Sequence, residues 1–243
     1  MKRRINIVLV SILAGVLLGH GCVTLKALMR PPGKNNFRAV CKVRPIIVTS
    51  GGEFQWTAEK FKEYTDMVNP AYQKTGIYFE FLPFEYVENP SWYECPRKSL
   101  FFQMAAESKR IADERGELVV WLTQRLDAYY GAGAVSNLPS RGLVGTYQQH
   151  GLAISYWSHA ITLAHELGHA FDVIHPWLND GIDDTNVKDA DDCETDVCNI
   201  MTFCFFEDRS HCKGKEFTPG QIDHIQEWAR KPPRNQVIQI LGK

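Results

Sequence analysis

Apolar and polar positions fall in blocks whose period changes from two to about 3.6 and back, the mark of a chain that mixes strands with helices. Residues 43–49 (VRPIIVT) form a short β-rich run, and Pro45 predicts that it is an edge strand or the start of one. Thr57 opens a helical pattern through about residue 73, with Phe61, Tyr64 and Val68 near helical spacing. Over 77–87 apolar and aromatic residues alternate with acids, which predicts a strand. A second helix is expected over 99–113, then a buried strand over 118–122 (LVVWL). Residues 127–140, rich in Gly, Ala and Tyr, read as a loop with at most an edge strand. Two short strand-like runs follow at 142–147 and 151–156. From Ser158 the pattern is helical again, and the last third is irregular, cysteine-rich and closed by one helix. No internal repeat is visible. The expectation is one α/β (α+β) domain of two unequal parts.

The N-terminus stands outside that pattern. Met1-Lys2-Arg3-Arg4 precedes an apolar run over 5–18, then Gly19-His20-Gly21-Cys22. A basic start, an apolar run short of the roughly 20 residues of a membrane span, and small residues before a cut site predict an export signal over 1–21. Residues 22–40, with Pro31-Pro32-Gly33-Lys34-Asn35-Asn36, read as a tether, and 41–243 as the domain. Cys22 after small residues resembles the lipobox of bacterial lipoproteins, with Gly19 where Leu is usual. That resemblance implies a lipidated Cys22 and a place in the bacterial cell envelope. Ordinary cleavage to a secreted or periplasmic protein, or an uncleaved anchor, are the alternatives.

Composition narrows the partners. The chain has 243 residues, 44% hydrophobic and 23% charged, enough to bury a core and unlike a disordered or multispan protein. Its 27 bases balance 28 acids, so no clustered basic surface is available for nucleic acid. Contact with a membrane is expected only through the lipid anchor. Of seven cysteines, setting Cys22 aside leaves Cys41, Cys95, Cys193, Cys198, Cys204 and Cys212, an even set suited to disulfides after export. Isolation from the rest pairs Cys41 with Cys95 as a guess, and the other four are expected to form two disulfides around residues 198–204.

The chemistry concentrates in residues 165–175, His-Glu-Leu-Gly-His-Ala-Phe-Asp-Val-Ile-His. On a helix, His165 and His169 lie about 40° apart round the axis, so both imidazoles leave one face and can share a metal. Glu166 stands beside them as a general base for water. Zinc suits imidazole ligands and, in catalytic sites, takes three protein ligands with one position open. A helix carried on to His175 would set it about 15 Å from His165, too far to share an ion. The helix must therefore end soon after His169, with Asp172 at a left-handed turn position and Pro176 barring its resumption.

The segment resembles the zinc motif of the metzincin metalloproteases, HExxHxxGxxH, with Asp172 in the glycine position. Cys198-Asn199-Ile200-Met201-Thr202 resembles their methionine turn, and Phe217-Thr218-Pro219-Gly220-Gln221 the start of the last helix in pappalysin-type members. Thr218 is also a good N-cap and Pro219 a good first helical residue on physical grounds. The resemblance implies a metzincin-like domain: a twisted mixed sheet, an active-site helix, an irregular disulfide-rich C-terminal subdomain and a final helix. It implies one zinc held by His165, His169 and His175, a protein or peptide substrate cleaved with Glu166 as general base, and Met201 as an apolar floor. The spacing from His175 to Met201 fits neither matrixins nor pappalysins, and Phe203 stands where related enzymes carry a tyrosine. Cys41 lacks the surroundings of a latency cysteine.

A strand over 142–147 is the expected rim for an extended substrate. The acidic cluster Asp180, Asp183, Asp184, Asp189, Asp191, Asp192, Glu194 and Asp196 could bind calcium, although a solvated loop is the plainer reading. His150, His159, His211 and His224 lack ligand spacing and are expected in surface or packing roles. The rival functions are a non-catalytic surface protein with structural zinc and an amidase acting on cell-wall peptides. An intact Glu166 counts against the first, since a structural site needs no general base.

Overall fold

The computed structural model describes residues 37–94, 98–126, 134–136, 151–175, 182, 199–202, 216–231 and 237–241. The first strand, β1 (Ala39–Thr49), is followed by helix α1 (Ala58–Ala71), a 3-10 turn (Gln73–Thr75), β2 (Ile77–Phe81) and β3 (Glu85–Glu88). Then come a single-turn helix α2 (Pro90–Tyr93), the long α3 (Lys98–Arg115), β4 (Leu118–Thr123), β5 (Ala134–Ser136) and β6 (Gly151–Ser155). Helix α4 (Ile161–Ala170), α5 (Pro219–Arg230) and β7 (Ile238–Ile240) complete the order.

The seven strands make one mixed sheet, β2-β1-β4-β6-β5, with β3 and β7 also paired to β1. β5 runs antiparallel to β6 and β7 antiparallel to β1; the other pairs are parallel. Parallel pairing needs helical crossovers, and both faces of the sheet are covered accordingly. On one face Val43, Ile47, Val120, Leu122, Leu152 and Ile154 pack under α1, α4 and α5. On the other, Ile46, Val48, Val119, Trp121 and Ala153 meet Met104 and Ile111 of α3 and Trp92 of α2.

Two expectations need correction. β1 is central, with strands on both sides, although Pro45 argued for an edge. Val43 O accepts from Leu82 N, 2.9 Å away, so odd-numbered residues of β1 address the β2/β3 side. The register with β2 ends at Val43 and that with β3 begins at Ile46, so Pro45 faces the gap, where its missing N–H breaks no ladder. That gap is also why the strand expected over 77–87 is two strands, parted at Leu82-Pro83-Phe84.

The second correction concerns Cys41, which is a free thiol and not half of a disulfide with Cys95. It lies fully buried in the core on the face covered by α1, α4 and α5, and burial pushes its ionisation up to about 12. Its strand begins at Ala39, inside the stretch assigned to the tether. Cys22, Cys95, Cys193, Cys198, Cys204 and Cys212 lie outside the described residues, as do the acidic cluster, Phe203, His150, His211, the export signal and the strand expected over 142–147. No helix among the described residues is long and apolar enough to cross a membrane.

Candidate metal centre

The helix that carries the motif is held from outside itself. α4 has no side-chain N-cap, and every residue from Thr162 to Ala170 is buried. Before its first turn, the Tyr64 hydroxyl donates to Ser158 O. Within the helix, Tyr72 donates to Ala164 O at 3.0 Å. Both tyrosines come from α1 and the turn after it, so the amphipathic face read from Phe61, Tyr64 and Val68 places two polar tips against α4.

The helix stops where the third histidine requires. Asp172 is the one non-glycine residue at positive φ among the described residues, at 65°. Val173 N donates to Gly168 O (3.1 Å) and Asp172 N to His169 O (3.0 Å), the paired bonds of a Schellman cap with Asp172 in the left-handed place. The chain then doubles back. Nε2 of His165 lies 3.1 Å from that of His175, and Nε2 of His169 lies 3.0 Å from it.

The protonation of these rings follows from their partners. Nδ1 of His165 lies 2.8 Å from the Ile200 carbonyl, and Nδ1 of His169 lies 2.7 Å from that of Val173. A carbonyl only accepts, so both Nδ1 atoms carry the hydrogen and both Nε2 atoms present lone pairs to the centre. His175 Nε2 cannot donate a linear bond to both, so at least one contact sets lone pair against lone pair unless a cation lies among them. Burial holds His169 down at about 4 in spite of the Val173 carbonyl. His175 is pushed far below its ordinary range by burial, then by His169 and His165. Three buried, neutral imidazoles with converging lone pairs form a group that can hold a metal ion. Nitrogens bound to a tetrahedral zinc at about 2.0–2.1 Å would lie roughly 3.3 Å apart, a few tenths from the two distances to His175, and all three donors are uncharged imidazole nitrogens of the kind zinc takes.

Beneath the histidines lies the turn at 199–202. Asn199 Oδ1 accepts from Met201 N at 2.8 Å, and Asn199 O accepts from the Thr202 hydroxyl at 2.8 Å. Ile200 N donates to Glu216 O at 3.0 Å, which ties the turn to the segment leading into α5. Lys74 pairs with the Glu216 carboxylate from the far side. α5 itself opens with Thr218 as N-cap and Pro219 in its first turn, as the sequence predicts, and Gln221 completes a reciprocal capping box with Thr218. Met201 is fully buried against α4, where a Cβ placed on Gly168 would come within 2.4 Å of its sulfur. Gly168 is thus a close-approach residue that the sequence reading passed over, and its signal was a glycine in mid-helix.

Glu166 is 6% exposed on the same buried helix. It is not part of the converging group, which among the described residues consists of His165, His169 and His175 alone. His159 stands at the entrance to α4, where its carbonyl accepts from Thr162 N at 2.9 Å, and His224 lies on α5.

The mixed α/β fold is similar to that of solved structures at low sequence identity. One similar structure is a promirolysin mutant from Tannerella forsythia, with a TM-score of 0.57 over 83% of this chain and 84% of that one, at 12% identity. Metalloproteinase-II from Bacteroides fragilis superposes with a TM-score of 0.47 over 85% of this chain and 61% of that one, also at 12% identity. No protein-family profile matches the chain. No curated protein matches it in sequence either. At such identity the likeness is one of fold, and the chemistry has to be argued from the residues.

Proposed function

We propose that the chain is a zinc-dependent endopeptidase of metzincin type. The observation that carries this is the convergence of three buried imidazole Nε2 atoms on one helix and its returning turn, in a fold shared with promirolysin. His165, His169 and His175 would hold the ion. When bound, zinc supplies Lewis acidity, polarising a peptide carbonyl and acidifying a water. The two backbone carbonyls on Nδ1 fix the tautomer and ring angle of His165 and His169, the outer-shell role that keeps ligands basic and aligned. Glu166 accepts the proton of the attacking water as the new C–O bond forms. It then returns that proton to the amine as the C–N bond breaks. Met201 supports the histidines from below and keeps water away from that side.

α4 packs beside β5, the strand that follows β4 in the chain and, among the described residues, ends the sheet antiparallel to β6. The strand expected over 142–147, which follows β5 in the chain, is the proposed rim on which an extended peptide would pair. An export signal over 1–21 and lipidation of Cys22 would put the enzyme on the cell envelope. The subfamily, pappalysin-like in its final helix, rests on residues 217–221.

The decisive experiment measures metal content and cleavage of a mixed peptide library by the purified chain and by Glu166→Gln. One zinc per chain in both is expected, with the variant slower by about 100- to 10,000-fold. Full zinc without any cleavage by the wild type would favour the non-catalytic reading. Cleavage of cell-wall peptides alone would favour the amidase.

A further inference from the structure

The residue that departs from the motif, Asp172, has a second feature besides its backbone angle. Its carboxylate Oδ2 lies 3.8 Å from Nε2 of His224 on α5. That Nε2 is buried and, among the described residues, has no hydrogen-bond partner, and the Asp172 carboxylate is set against it. A glycine, which the left-handed angle alone would favour, could offer nothing to His224.

The contact belongs to a larger one. His224 and Trp228 are four apart on α5, hence about 40° apart round its axis and on one face. The indole of Trp228 meets the ring of Phe171 edge to face, with centroids 5.3 Å apart. Phe171 and Asp172 are the cap residues of α4, the two that turn the chain from His169 toward His175. One face of α5 therefore meets that turn twice, by an aromatic contact at Phe171 and by the approach of the Asp172 carboxylate to the His224 ring. The His169 ring is bonded to Val173 O, so the same turn also fixes the ring that must meet His175.

We infer that Asp172 and His224 are a positioning pair, which holds the turn between the second and third histidines against α5 and so sets how tightly the three-histidine group keeps its metal. Neither residue belongs to the converging group that would hold the metal. The inference rests on the reading of His165, His169 and His175 as ligands. It gives the departure from glycine a purpose: the chain accepts a less permissive residue at φ 65° in exchange for a tie to the last helix.

The test compares zinc affinity, by competition with a chromophoric chelator, in wild type, Asp172→Gly, His224→Ala, His224→Gln and the double variant Asp172→Gly with His224→Ala. Thermal melting of each metal-free protein is measured alongside. Glycine is relaxed at this angle, so metal-free Asp172→Gly should melt no lower than wild type, and its zinc affinity should fall about threefold to fivefold, the scale of a partly exposed ion pair. His224→Ala should lose a similar factor. His224→Gln, which keeps an N–H donor, should lose less, and the double variant should bind no more weakly than the worse single variant. A merely structural role would lower melting temperature without this shared effect on affinity. Wild-type affinity in Asp172→Gly, or losses that multiply in the double variant, would overturn the pair while leaving the zinc site standing. A wild-type chain that binds no zinc would overturn both.

Discussion

Helices α1 and α4 pack against the same face of the sheet, and they are held by opposite means. α1 is a half-exposed amphipathic helix with its own N-cap: Thr57 accepts from Lys60 N, and Phe61, Tyr64 and Val68 go to the core. Its charged groups pair along its outer surface, Lys60 with Glu63 and Lys62 with Asp66. α4 has no side-chain cap, no exposed face between Thr162 and Ala170, and three titratable side chains, His165, Glu166 and His169, taken out of water. What it lacks internally is supplied by others: hydroxyls from Tyr64 and Tyr72, the carbonyl of Ile200, the thioether of Met201. Burying imidazoles in this way is costly in the metal-free chain, and a bound cation recovers that cost, because it takes up lone pairs that otherwise face each other. A helix that carries chemistry is therefore the one least able to stand by itself.

The largest effect that separates the two helices is loss of metal. His169→Ala leaves two imidazoles, and retention of zinc should fall by at least about 100-fold, measured as metal per chain after dialysis against a weak chelator. Full zinc in that variant would remove His169 from the ligand set and dissolve the contrast. No substitution confined to the outer face of α1 should change metal content.

Acid comes next. In metal-free protein His169 titrates at about 4, against an ordinary 6.5, because burial disfavours its charged form. Between those values the unfolded chain binds a proton that the folded chain refuses, so stability rises with pH across the window and is lost as pH falls from 6.5 toward 4. The loss should be on the order of 3 kcal/mol, read from denaturant melts at a series of pH values. Zinc-loaded protein should hold its stability to lower pH until protons displace the ion. A flat profile in the metal-free chain would show that the ring is better solvated than its surroundings indicate.

The difference between the helices also explains what could be read from sequence. α1 was legible because its signals are local: Thr57 at its start and the apolar spacing of Phe61, Tyr64 and Val68, all within one stretch. The three histidines and the left-handed Asp172 were legible because their spacing leaves the chain one way to bring them together. Pro45 misled, because the gap that accommodates it is made by a break in a partner strand some 40 residues on. Isolation from the other four cysteines paired Cys41 with Cys95, although its place on the inner face of a central strand makes it a core side chain. Gly168 was overlooked because its reason is Met201, more than 30 residues away. The tie between Asp172 and His224 depends on the docking of α5, which no local pattern shows.

Gly168→Ala probes that distant packing at smaller cost. In an isolated helix alanine would be favoured by about 1 kcal/mol. Here the added carbon would lie 2.4 Å from the Met201 sulfur and 3.4 Å from the Phe217 ring. Met201 is flexible, but Phe217 limits where it can go, so overpacking should prevail with a net loss of about 1–3 kcal/mol. Adding Met201→Ala to the glycine variant should cost less than Met201→Ala in wild type, because the same space is then contested by one group. Strictly additive losses in denaturant melts would mean that the two residues do not share that space.

The smallest expected effect completes the contrast from the α1 side. Lys62 and Asp66 pair at 2.6 Å, a turn apart on the outer surface, with 69% and 59% of their side chains exposed. Water screens such a pair, and holding two long side chains together costs entropy, so close geometry does not translate into stability. The order of charges, base before acid along the helix, is also the weaker one. Lys62→Ala should therefore shift stability by no more than about 0.5 kcal/mol in either direction, and alanine's helix propensity offsets much of that. The variant should bind zinc as wild type does. A loss of several kcal/mol, or any change in zinc affinity, would show that the outer face of α1 is coupled to α4 through Tyr64 and Tyr72, and that the two helices are one cooperative unit despite their different means of support.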